Sequence, residues 1–281
     1  MLRTTPGLQL LGPPDLARMR QLLHHDPVVN AFVDYRVETT GLDTHRLGAP
    51  LWGYVDDQGE LVSACHVGAN LVPVQATPDA ARAFAQRAAA APRTSSSVVG
   101  LAEAVLPMWD RLEPAWGPAR EVRADQPFLV AAAPPAIRPD PRVRRVLLDE
   151  FELLYPSSVA MFLEEVGVSP EADGASHYRA RVARLITRGW SFARIDDGEV
   201  VFKAEVGLAT RAACQVQGVY VHPAHRGRGI AAPAMAAVLD IALREIAPIV
   251  SLYVNAANTA ARRAYERAGF RQLATFATIL F

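Results

Sequence analysis

The segment VYVHPAHRGRGIA, Val219–Ala231, constrains the chain more than any other stretch. Val219, Tyr220 and Val221 are β-branched and aromatic and read as a strand end. A His222-Pro223 turn follows, then Arg226-Gly227-Arg228-Gly229, then an alanine-rich apolar run from Ile230 that reads as a helix. A strand, a glycine loop and a helix start, in that order, make an anion site. The first amides of the helix have no partner within it, and its dipole favours negative charge there. Gly227 and Gly229 let the backbone approach a phosphate, and Arg226 and Arg228 add positive charge. The loop has neither the Gly-Lys-Ser/Thr ending of a nucleoside-triphosphate loop nor the GxGxxG spacing of a dinucleotide fold. It suits a diphosphate of another kind.

Arg226, Gly229 and Ala231 match in register the Arg/Gln-x-x-Gly-x-Gly/Ala motif of the GNAT N-acetyltransferase superfamily. The segment NAANTAARRAYERAGF, with Asn255, Asn258, Tyr265, Gly269 and Phe270, follows at the family's distance. Residues 140–281 therefore resemble a GNAT domain. The resemblance implies acetyl-CoA or another acyl-CoA as donor. The loop Arg226, Gly227, Arg228 and Gly229 would hold it, with Ile230 and Ala231 at the helix start.

In that fold the strand Val219, Tyr220, Val221 would part from Leu252–Val254 and leave room for the pantetheine arm. Val219 and Val221 would contribute backbone groups only. A backbone N–H in the gap would stabilise the tetrahedral oxyanion, an effect often worth ~3 kcal/mol. Tyr265 is the general acid the resemblance implies: a phenol of pKa about 10 suits a thiolate of about 8.5 or somewhat higher. Taken alone, Tyr265 also reads as a core tyrosine. Asn258 would hold the pantetheine or the helix start, and Asn255 fits an N-terminal cap or a turn equally well.

The family often carries a glutamate base on the strand before the loop. Here that stretch, CQVQGVYV, offers Gln215 and Gln217 and no carboxylate. Glutamine accepts no proton at neutral pH, although it can position a water. Glu205, one strand earlier, and His222 are the substitutes.

The segment AAAPPAIRPDPR, Ala131–Arg142, carries four prolines that fit neither a helix interior nor a central strand. It divides the chain into a first domain at 1–133, a stiff linker at 134–142 and a second domain at 143–281. The two halves repeat. GELVSACHVGA aligns without gaps to GEVVFKAEVGL at an offset of 139 positions (198 minus 59), each after an aspartate pair. Both read as hairpins followed by strand, helix, strand, helix, strand. Helices are expected at Pro14–Leu23, Phe151–Val166 and Ser176–Arg188, where apolar residues recur at helical spacing. The fold class expected is α/β (α+β): two tandem GNAT-like domains, each a mixed, mostly antiparallel sheet flanked by helices.

The halves differ in chemistry. After Leu71–Val74 the first continues QATPDAARAF, with no glycine and no arginine pair, and Asp79 would repel a phosphate at that helix start. A degenerate first copy before an intact second resembles actinobacterial tandem GNAT proteins with an N-terminal domain of unknown function.

With 51% hydrophobic residues among 281, there is ample material for a core. Twenty-nine basic and 29 acidic residues argue against nucleic acid or an acidic membrane as partner. No window approaches the ~18 apolar residues of a membrane span, and the N-terminus is no secretory signal, so a cytoplasmic protein is expected. Cys65 and Cys214 suggest two reduced, buried thiols, with neither a disulfide framework nor a zinc site, and no metal is expected. The final TFATILF reads as a strand whose edge could pair a second copy, which leaves monomer and homodimer open.

The expected activity is acyl-CoA-dependent transfer, acetyl-CoA being the first choice, to a primary amine of a small molecule or peptide. The alternative is a non-catalytic acyl-CoA sensor or interaction module. A transferase drawing on aminoacyl-tRNA fits the intact loop and neutral charge less well.

Overall fold

A computed structural model describes residues 7–172 and 174–281. The chain divides into two compact units, one running to Phe128 and including Gln272–Phe281, the other Leu129–Arg271.

The first unit contains β1 (Gly7–Leu10), α1 (Leu16–Leu23), α2 (Ala31–Thr40), α3 (Thr44–Leu47), β2 (Leu51–Val55), β3 (Leu61–Val67) and β4 (Asn70–Val74). It continues with α4 (Pro78–Ala89), β5 (Ser97–Leu101), α5 (Ala102–Trp116) and most of β6 (Glu121–Ala131). The second begins with β7 (Val143–Arg145), α6 (Phe151–Val166), α7 (Ser176–Thr187), β8 (Ser191–Asp196), β9 (Glu199–Ala209) and β10 (Cys214–Val221). Then come α8 (Ala231–Glu245), β11 (Val250–Tyr253) and α9 (Thr259–Ala268), before the last strand, β12 (Arg271–Leu280).

The expected repeat is present. β2–β3–β4–α4–β5–α5–β6 runs parallel in order to β8–β9–β10–α8–β11–α9–β12. The aligned glycines occupy equivalent turns, Gly59 at φ 82° and Gly198 at φ 77°. In the second hairpin Asp196 pairs Glu199 around Asp197-Gly198, both with positive φ, the two-residue turn that matches strand twist.

Pairing within each unit is mixed and mostly antiparallel. β1–β2–β3–β4 and β7–β8–β9–β10 are antiparallel ladders, while β4–β5 and β10–β11 are parallel. In the second unit α8 buries Ala234, Met235, Val238 and Leu239 against Phe202, Val206, Val250 and Leu252 of the sheet. The first unit has its own cores, one around Phe84, Met108 and Trp109, the other around Met19, Val33 and Val37.

The units divide the chain differently from the linear boundaries 1–133, 134–142 and 143–281. β12 closes the second repeat in sequence, yet it pairs antiparallel with β5 of the first unit, Phe276 against Leu101 through Leu280 against Ser97. Ala277 and Ile279 are wholly buried there, and Phe128 stacks on Phe276 at 4.5 Å. The expected free edge at TFATILF is therefore absent: β12 lies between β5 and β6 in strand order. The proline segment is fastened to the second unit. Ala136 N–H donates to the Ala268 carbonyl and Asp140 N–H to that of Pro233, each at 3.0 Å. Among the described residues no helix is long and apolar enough to cross a membrane.

Candidate functional site

β10 is the strand that shapes the site. It pairs with β11 only at Cys214–Val250 and Gln215–Ser251; beyond that the ladder ends. On its other side, β9 pairs with Gln217 and next with Tyr220, so Gly218 and Val219 form a bulge. Gly218 has φ 60°, a conformation favouring glycine, and the bulge bends the strand. Val219 and Val221 thus lie on the stretch of β10 that has parted from β11.

The loop after β10 leads into a bare helix end. Gly227 and Gly229 have φ 75° and 74°, with open space where a Cβ would stand. α8 starts after Ile230 with no side-chain cap and no acidic residue in its first turn. Its first helical hydrogen bond joins Ala234 N–H to the Ile230 carbonyl at 3.1 Å, and Pro233 has no N–H. Among the described residues the amides ahead of that bond, on Ile230, Ala231 and Ala232, have no backbone partner, and Arg226–Gly229 before them are exposed.

The two arginines differ. Arg226 donates to Glu164 of α6 at 2.9 and 2.7 Å and to the Val221 carbonyl at 2.9 Å, with its guanidinium 5.4 Å from the Tyr220 ring. It braces the loop. Arg228 is exposed and makes no ion pair among the described residues, so its charge is available to an anion.

The equivalent loop of the first unit is closed by its own side chains. The Thr77 hydroxyl caps α4 by accepting from Ala80 N–H at 3.2 Å. Ser63 accepts from Thr77 N–H and donates to the Gln75 carbonyl, while Asp79 sits in the first turn, paired with Arg82. The amides of Thr77, Ala80 and Ala81 are therefore already engaged, and a carboxylate stands in the first turn where the second unit has none.

Tyr265 lies on α9 in the core that also holds Leu252 and Val254. Its ring is buried, 6.2 Å from Phe270, and among the described residues its hydroxyl has no hydrogen-bond partner. Burial, with a smaller contribution from Glu165, raises the phenol above its ordinary range, so it holds its proton at neutral pH. Asn258 caps α9, its Oδ1 accepting from Ala261 N–H at 3.1 Å, and the Asn255 carboxamide accepts from Ala257 N–H at 3.1 Å. Both side-chain oxygens therefore serve local turns.

Glu205 sits differently from a free base. It is 2% exposed, 3.2 Å from Lys203 Nζ, and it accepts from Arg181 and Gln217 at 3.0 Å each. Burial alone would raise its carboxyl, but Lys203, Arg181 and Gln217 together hold it below the ordinary range. A carboxylate so engaged is a poor proton acceptor. At the same offset in the first unit, the equivalent position is His66, buried, with Nδ1 3.1 Å from the Asn70 carbonyl and burial lowering it to about 4. His222 does not join Glu205. It faces the β8–β9 hairpin, where Glu199, His222 and His225 bring three ligand atoms within 4.8 Å of one another.

Sequence reasoning missed Arg181, Lys203 and Glu164, whose partners are 24, 2 and 62 residues away. No spacing signals the two long-range pairings. The His-Pro-Ala-His run did carry a visible signal, but its third partner, Glu199, lies on another strand.

Residues 159–270 match the Acetyltransferase (GNAT) family, and residues 49–154 match a Domain of unknown function (DUF4081). A search of curated proteins gives no match. Among solved structures, a GCN5-related N-acetyltransferase from Sphaerobacter thermophilus superposes with TM-score 0.62 at 20% identity, over 100% of this chain and 97% of its own. An acetyltransferase of the GNAT family from Colwellia psychrerythraea gives 0.53 at 15%, over 98% and 99%. A tandem GNAT protein from the clavulanic acid biosynthesis pathway gives 0.56 at 12%, over 98% of each chain. At these identities the likeness is one of fold. Residues 159–270 thus form a GNAT acetyltransferase domain, which follows a domain of unknown function at 49–154.

Proposed function

We propose that the second unit transfers an acyl group, acetyl from acetyl-CoA in the first instance, to a primary amine of a small molecule or peptide. The observation carrying this reading is the uncapped start of α8, with Gly227 and Gly229 at positive φ, directly after a strand that has left its neighbour. These features fit a diphosphate on the helix end and an extended arm along Val219–Val221. Arg228 supplies the free charge and Arg226 braces the loop against Glu164. Tyr265, buried and protonated, is the proton donor to the leaving thiolate. Glu205 is held by Lys203, Arg181 and Gln217, so in this reading the acceptor amine enters neutral or loses its proton to water.

Gly229→Glu places a carboxylate and a side chain at φ 74° within the loop. Calorimetry should show acetyl-CoA binding to the wild-type chain and at least a hundredfold loss in this variant, with Gly229→Ala intermediate. Failure of the folded wild type to bind acetyl-CoA or longer acyl-CoAs would sink the reading.

A non-catalytic acyl-CoA sensor is the second reading, favoured by the commitment of Glu205 to Lys203, Arg181 and Gln217. Tyr265→Phe separates the two. Loss of a general acid costs about 10²–10⁴ in rate, so acetyl-CoA turnover should collapse while binding holds; unchanged turnover removes Tyr265 from the mechanism.

A further inference from the structure

Ahead of the loop, three side chains converge that the acyl-transfer reading does not use. Pro223 opens a short 3₁₀ turn, Pro223–His225, in which His225 N–H donates to the His222 carbonyl at 2.8 Å. Three residues per turn set His222 and His225 on one side. His222 N–H also donates to the Val201 carbonyl at 3.0 Å, which fastens the turn beside the start of β9. The Asp197-Gly198 turn then presents Glu199 to both imidazoles.

The three side chains bring one ligand atom each within 4.8 Å of one another, and His225 Nε2 is hydrogen-bonded to Glu199. Glu199 Oε1 lies 3.3 Å from His222 Nδ1, and Glu199 Oε2 lies 3.0 Å from His225 Nε2. Ligands on a tetrahedral zinc ion at about 2.0–2.2 Å stand about 3.3–3.5 Å apart. His222 Nδ1 is sealed from solvent and has no hydrogen-bond partner, although the carboxylate is beside it. A buried imidazole nitrogen with no hydrogen bond, beside a carboxylate and a second imidazole, has the lone pair that an electron-pair acceptor would use. Two imidazoles and one carboxylate select a first-row transition ion over calcium or magnesium, which prefer oxygen.

We propose that Glu199, His222 and His225 bind a divalent transition-metal ion of the zinc type, with a fourth position open to water. The ion would tie the β8–β9 hairpin to the residue preceding Arg226 and so fix the entrance of the loop. This site stands independently of the donor assignment.

The test uses the untagged full-length chain in metal-free buffer, titrated with Zn²⁺ by calorimetry and with Co²⁺ by visible absorption. Wild type should take up one ion per chain and give the intense d–d bands of a tetrahedral Co²⁺ site. Glu199→Gln and His225→Asn should each bind at least tenfold more weakly and lose the bands, while melting at the metal-free wild-type temperature. A His24→Asn/His25→Asn variant, altered at the other histidine pair, should bind as wild type does. Equal affinity in wild type and the Glu199 and His225 variants, or bands lost only in the His24/His25 variant, would overturn the site and leave an ion-paired cluster.

Discussion

Glu205 shows how a single carboxylate is turned from chemistry to architecture. Lys203 beside it is 1% exposed, so each needs the other's charge to be buried at all. Removing one partner leaves the other charge uncompensated, which costs about 3–5 kcal/mol in buried pairs. Glu205→Gln should therefore lower unfolding stability by about that much in a urea titration, and Lys203→Met added to it should recover part of the loss. The pH dependence has a definite sign. Because the folded carboxyl is held below its unfolded value of about 4.3, its stabilisation is complete above that value and disappears as pH falls through the folded one. The variant should show a flatter acid limb. A variant as stable as wild type, with an unchanged acid limb, would mean that the network carries no net stability and that Glu205 is free for another role.

At the level of elements, α9 illustrates what a sequence discloses and what it withholds. It runs Thr259–Ala268, directly after Asn258, one of whose two expected roles is to hold a helix start, and Phe151–Val166 is recovered within its expected bounds in α6. Helical period, glycine turns and β-branched runs are local properties, so the strand and helix order and the α8 loop were legible. Pairings across 62 or 24 residues, such as Arg226 with Glu164 and Arg181 with Glu205, leave no local trace. Two identical residue types can even divide between roles: Arg226 braces, Arg228 stands free. For the asparagines the structure favours capping, which yields a discriminating experiment. Asn258→Ala removes the bond to Ala261 N–H and should cost about 1 kcal/mol in stability. If capping is its whole role, acetyl-CoA affinity should change less than twofold at a temperature where both chains are folded. A tenfold loss of affinity would restore Asn258 to the donor site.

For the molecule as a whole, the consequential fact is that the last ten residues belong to the first unit. Sequence order assigns β12 to the second repeat, because hydrophobic alternation identifies a strand without naming its neighbour. In the fold, Phe276 and Ile279 are buried against first-unit residues, and the terminal Phe281 packs 5.6 Å from Trp109 and 5.5 Å from Trp116. Burying a large apolar side chain is worth about 1.5–3 kcal/mol, so Phe276 and Ile279 alone contribute on the order of 3–6 kcal/mol. Domains have a net stability of only about 5–15 kcal/mol. A chain ending at Arg271 should consequently lose the first unit's structure first. Trp52, Trp109 and Trp116 lie in that unit and Trp190 in the other, so fluorescence should red-shift strongly and limited proteolysis should cut within residues 51–128. A fragment ending at residue 133 should fail to fold for the same reason, since it too lacks β12. Adding a synthetic Gln272–Phe281 peptide to the truncated chain should restore the emission maximum. If truncation instead exposes Trp190 and leaves the first unit resistant to protease, β12 contributes its stability to the second repeat, as its place in the sequence suggests.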